Sequence, residues 1–190
     1  MCFRNLRVCV VDFNFLLMTT ERVIVNECTI HNLNDSVSQT YHIACSARLM
    51  QEVKSNHLTQ CNFNTDNFHK LPLGYGNVGF RTFCKSLKSQ VARYDVILTK
   101  GDQKMDLINS IVNRYVQVYD LGHFGCPNIG RLTSMYHVMQ RSCIYHKAGF
   151  ANCTAYKALL YSRWLYENHV DVSFYLRVKL GLPIAQFNDS

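Results

Sequence analysis

The chain has 190 residues, 48% of them hydrophobic, and its 20 Lys and Arg against 13 Asp and Glu give a net charge of +7 and a pI near 9.0. That length and apolar content can bury one substantial core and exclude a disordered chain, so a single domain over residues 1–190 is expected. No run approaches the roughly 20 apolar residues of a membrane span, and the excess of positive charge suits an anionic partner, most commonly nucleic acid.

Arg7–Met18 and Arg22–His31 are β-rich segments joined by the polar Thr19-Thr20-Glu21, a hairpin signal, and Thr40–Cys45 alternates as a third strand. From Ser46 to Leu73 the pattern loosens into a short helix followed by the polar NHLTQCNFNTDNFHK, read as an irregular insertion. Phe80–Val91 has helical periodicity, with Phe80, Phe83, Cys84, Leu87 and Val91 on one stripe and Arg81, Lys85 and Lys88 on another. Tyr94–Thr99 is a short apolar run suited to a buried strand, and Asp102–Val112 follows as a helix. Tyr115–Asp120 repeats the strand character, Asn128–Gln140 reads as helical, and Ala151–Asn168 is the longest helix. Strands followed by alternating β and α segments predict an α/β fold, a mixed sheet flanked by helices.

The opening MCFRNLRVCVVDFNFLLM is interrupted by Asp12 and Asn14 and leads to no small-residue cleavage site, so a reducing, intracellular compartment is expected. The nine cysteines are then core residues, metal ligands or nucleophiles rather than disulfide halves. Cys143, His146 and Cys153, in CIYHKAGFANC, place two thiolates and an imidazole close along the chain, a donor set that suits zinc. Their fourth partner has to come from elsewhere in the fold. Gly74-Tyr-Gly-Asn-Val-Gly79 matches GxGxxG, but no strand from a βαβ unit precedes it, so it is read as a turn into the next helix. Cys61 and His69 lie in the loose polar stretch and are taken as a chance pair. His31, His42, His57, His123, His137 and His169 show no ligand spacing. Asp12 and Glu27 are acids embedded in apolar β-rich runs, which costs free energy unless each is paired, exposed or bound to metal.

The order of these pieces resembles a DEDDh 3′–5′ exonuclease, a ribonuclease H-like fold, and more closely the Maelstrom domain, a diverged branch of it from the animal piRNA pathway. VVDFN resembles the first exonuclease strand, VIVNECTI the second, YDVILTKGDQKMDLI the second motif, and HKAGFANCTAYKALL the last helix with its His-then-Asp motif. The Maelstrom Glu-Cys-His-Cys set maps onto Glu27, Cys143, His146 and Cys153, which implies a closed structural Zn²⁺ site. Of the exonuclease acids Asp12 alone survives, because Asn14, Lys104 or Met105, and Cys153 stand where the others belong. The resemblance implies binding of single-stranded RNA, in a small-RNA silencing setting at a cytoplasmic or perinuclear location, with Arg81, Lys85, Lys88 and Lys100 as candidate contacts and weak RNA cleavage by residues it does not identify. Two alternatives stand beside it. One is an Mg-dependent exonuclease using Asp12 with Asp102 or Asp106. The other is a protein-interaction scaffold, such as a virus- or transposon-encoded antagonist of silencing.

Overall fold

A computed structural model of the chain describes residues 3, 6–19, 22–72, 74–112, 116–136, 146 and 152–183. The expected hairpin forms: β1 (Val8–Thr19) pairs antiparallel with β2 (Arg22–Asn32), and β2 pairs antiparallel with β3 (Ser38–Ala44). Alternation along β1 decides which layer each side chain joins. Cys9, Val11 and Phe13 point to one face with Cys28, Ile30, Tyr41 and Ile43 of the neighbouring strands, while Val8 and Val10 point to the other.

Beyond the meander the chain crosses to the far side of β1, where β5 (Val96–Thr99) and β6 (Gln117–Asp120) run parallel to it. All four residues of β5 are buried, as a parallel strand covered on both faces requires. The two-residue β4 (Val78–Gly79) runs parallel to β3, and the six-stranded order is β4-β3-β2-β1-β5-β6. Helices α3 (Phe80–Val91) and α4 (Asp102–Val112) cover one face through Phe83, Leu87, Val91, Ile108, Ile111 and Val112. Helices α5 (Ile129–Met135), α6 (Thr154–Glu167) and α7 (His169–Lys179) cover the other through Leu132, Leu160, Leu165, Val172 and Leu176. This is the expected α/β class: a six-stranded mixed sheet with helices on both sides.

Three local expectations need correction. The short helix expected after Ser46 forms as α1 (Ala47–Asn56), capped by Ser46 Oγ accepting from Leu49 N–H at 3.3 Å, but the polar stretch beyond it is helical too, as α2 (Leu58–Asn64) and a π-helical turn over Thr65–His69. Among the described side chains of these helices, Val53 and Cys61 are the buried ones, packed with Leu16 and Ile24, so the apolar signal is thin. Helix α5 stops at Met135, where Tyr136 turns extended, and the remainder of the expected Asn128–Gln140 helix lies outside the described residues. Helix α6 begins at Thr154 rather than Ala151, because Cys153 is extended (φ −61°, ψ 130°) and occupies the cap position.

Candidate metal centre

Strand register assembles the site. Asn14 on β1 lies opposite Glu27 on β2, and Glu27 lies opposite His42 on β3, so three polar side chains form a row across the sheet. The next row toward β5 is Asp12, Thr29 and Thr40. Both rows face the start of α6, where Thr154 Oγ1 lies 2.7 Å from Thr29 Oγ1, itself 2.8 Å from Thr40 Oγ1. A bulge at Asn26, between the Asn14–Glu27 and Phe15–Val25 pairs, shifts the alternation of β2 so that Val25 joins Phe15 on the apolar face, which confines the polar patch to the sheet centre.

Glu27 is fully buried. Its Oε2 accepts from Asn14 Nδ2 at 2.9 Å and from Thr154 N–H at 3.0 Å. Its Oε1 meets His42 Nε2 at 3.2 Å, His146 Nδ1 at 3.6 Å and Cys153 Sγ at 3.9 Å. Burial alone would raise its pKa, but the His42 and Thr154 hydrogen bonds and the nearby imidazoles outweigh that effect and hold it at about 2. Glu27 is therefore an anion with one oxygen fixed by the fold and the other aimed at soft donors.

Ligand atoms of Glu27, His146 and Cys153 lie within 4.8 Å of one another, and all three residues are buried. A tetrahedral zinc with bonds of about 2.0 Å to N or O and about 2.3 Å to S has ligand–ligand edges of about 3.3–3.8 Å. The 3.6 and 3.9 Å separations exceed the corresponding edges by a few tenths of an ångström, a gap that small side-chain shifts close. One carboxylate oxygen, one imidazole nitrogen and one thiolate form a donor set that fits a zinc-like cation better than Mg²⁺, which takes oxygen ligands.

The second buried acid, Asp12, sits in a different environment. Asp12 is fully buried; Lys104 Nζ hydrogen-bonds its Oδ1, and Lys157 Nζ lies 2.9 Å from its Oδ2 as an ion pair outside hydrogen-bond geometry. Lys157 also donates to Asn14 Oδ1 at 2.8 Å, which links the two polar rows. Burial, aided by the adjacent Lys157 ammonium, lowers the Lys104 pKa against the pull of Asp12. Both oxygens that a catalytic cation would use already face ammonium groups.

No family model matches the chain, and no curated protein matches it. Solved structures similar to it include Phi29 DNA polymerase complexed with primer-template DNA, at 9% identity and a TM-score of 0.42. The match covers 94% of this chain and 32% of the polymerase, so the chain spans about a third of that protein's length.

Of the four expected metal ligands, Glu27, His146 and Cys153 converge, whereas Cys143 lies outside the described residues. Arg81, Lys85 and Lys88 are exposed together on α3. Lys100 is not part of that stripe: half-buried after β5, it donates to the Cys126 carbonyl at 2.7 Å, against the opposite face of the sheet. Asp102 converges with Asp120 and His123, Asp106 lies in the cleft between α3 and α4, and no group of potential metal ligands among the described residues includes Asp12. Sequence reading missed His42 and Lys157. The alternation Tyr41-His42-Ile43 could have flagged His42 as facing the same layer as Glu27, since strand register alone brings them together. No local signal marks Lys157, which is separated from Asp12 by most of the chain.

Proposed function

We propose that this chain is one ribonuclease H-like domain over residues 1–190 that has lost two-metal catalysis, is stapled by zinc, and binds single-stranded RNA. The resemblance to Maelstrom domains supports an intracellular small-RNA silencing setting. The observation that carries the reading is electrostatic. Arg81, Lys85 and Lys88 are exposed at i, i+4 and i+7 of α3, and none has an ion-pair partner among the described residues. A basic stripe that the protein does not neutralise itself is available to phosphates.

The stripe borders a cleft of about 650 Å³ between α3 and α4 whose lining includes Lys88, Phe80, Phe15 and Leu107. Phe80 is 45% exposed at its rim. Cations beside an accessible aromatic ring are the pair of features that hold single strands, with phosphates on the charges and a base stacked on the ring. Lys100, tied to a carbonyl, contributes less. The zinc ligands in this reading are Glu27, His146, Cys153 and Cys143, with His42 the competitor for the fourth position. The lysine-filled Asp12 site argues against the Mg-dependent exonuclease, because no second acid joins Asp12 in a ligand group among the described residues and Asp12 faces a lysine on both sides.

Filter binding of a labelled single-stranded RNA at low and moderate salt tests the reading. Wild type is expected to bind, and the triple variant Arg81→Glu, Lys85→Glu, Lys88→Glu to lose binding. Three single-strand phosphate contacts amount to a log–log salt slope of about −2. Wild-type protein that fails to bind at low salt overturns the proposal.

A further inference from the structure

Helix α7 carries apolar side chains on its outer side as well as its inner one. Val172, Ser173, Leu176 and Arg177 face the core, which is ordinary for a helix packed on a sheet layer. Its outer side carries Val170 (46% exposed), Phe174 (47%) and Val178 (53%) at i, i+4 and i+8, with Tyr175 (38%) alongside and Leu182 (38%) just past the cap. A contiguous exposed apolar strip of this kind marks a contact surface.

Charge says what covers it. The exposed positions of α7 carry one acid, Asp171, in the first turn and one base, Lys179, in the last, two turns apart with only apolar side chains between them. Lys179 Nζ lies 5.4 Å from the centre of the Tyr175 ring, so its ammonium lies along the apolar strip. This pattern is self-complementary under a two-fold axis. When two such helices cross antiparallel near Phe174, Val170 of one faces Val178 of the other, the Phe174 rings meet, and each Asp171 comes within reach of the other copy's Lys179. Closed two-fold contacts use one patch twice in this way.

We infer that the outer face of α7 is the dimer interface of this protein and that its occupant is a second copy of the same chain, antiparallel and locked by reciprocal Asp171–Lys179 pairs. Helix α7 packs on the sheet face opposite α3, so the dimer leaves both basic stripes uncovered. The inference does not depend on nucleic-acid binding.

Sedimentation velocity of the full chain across a hundredfold concentration range tests it. Wild type is expected to pass from monomer to dimer, and Phe174→Asp to remain monomeric at every concentration with an unchanged far-UV circular dichroism spectrum. Val178→Asp, at the most exposed position, serves the same purpose should the Phe174 variant misfold. Asp171→Lys should weaken the dimer at least tenfold, and adding Lys179→Asp should restore it. A wild type monomeric throughout, a dimer indifferent to Phe174→Asp and Val178→Asp, or a double charge swap that fails to restore association overturns the inference.

Discussion

The Asp12 carboxylate is compensated on both oxygens by buried ammonium groups, and that arrangement fixes what its removal does. Asp12→Asn leaves Lys104 and Lys157 facing each other without an anion, and breaking a buried ion pair from one side costs on the order of 3–5 kcal/mol. Urea denaturation is expected to show a loss of that size; an unchanged midpoint would mean that the lysines do not hold the carboxylate. His31 supplies a pH dependence. Its Nδ1 lies 2.6 Å from Ser38 Oγ, and burial lowers its pKa below the ordinary 6.5, although Asp35 pulls the other way. The unfolded chain therefore takes up this proton first as pH falls. The stability carried by neutral His31 is complete above pH 6.5 and declines below it until the folded pKa is passed. His31→Gln should flatten that decline in a series of thermal melts between pH 7 and 5. At this scale the acids were legible, because Asp12 and Glu27 interrupt apolar runs. Their partners were not, since Lys157 and His42 become neighbours only through the packing of α6 and the register of β3.

Among the elements, the Gly74–Gly79 turn shows how a motif-like string serves packing. Gly74 has φ +80°, and a Cβ on Gly76 would sit 2.2 Å from the Ile43 carbonyl carbon, so the turn lies directly against β3. Asn77 N–H donates to the His42 carbonyl at 3.2 Å in the same contact. Gly76→Ala must displace backbone and should cost about 1–3 kcal/mol, as overpacking does. Gly79→Ala, with nothing within 4 Å of its added Cβ, should cost under about 1 kcal/mol through the weaker helix cap. Equal losses in the two variants would rule out the close approach as the cause. The reading of this string as a turn into α3 holds. The helices α2 and α7 were missed for opposite reasons: α2 buries too few apolar residues to show a stripe, and α7 exposes too many to show contrast.

In the molecule as a whole, the proposed zinc would join β2 to the segment entering α6, tying together chain regions more than a hundred residues apart. Binding of this kind is folding free energy, because the ligands converge only in the native state. Purified protein is expected to contain one zinc per chain. Chelation, Cys143→Ser and Glu27→Gln should each lower the melting temperature, with metal lost in both variants. A metal-free wild type with an undiminished melting temperature would remove zinc from the account.

The sequence by itself determined the α/β class and five of the six strands, all but the two-residue β4, because period-2 alternation and short apolar runs are local consequences of which face each residue buries. It also marked Glu27, His146 and Cys153 as chemically unusual. Only the tertiary structure decided that these three meet, that Asp12 is neutralised by Lys104 and Lys157, and that α7 presents an apolar face outward. The physical reason is common to all three: charge compensation and ligand geometry depend on distances across the sheet–helix interface, and spacing along the chain does not encode them.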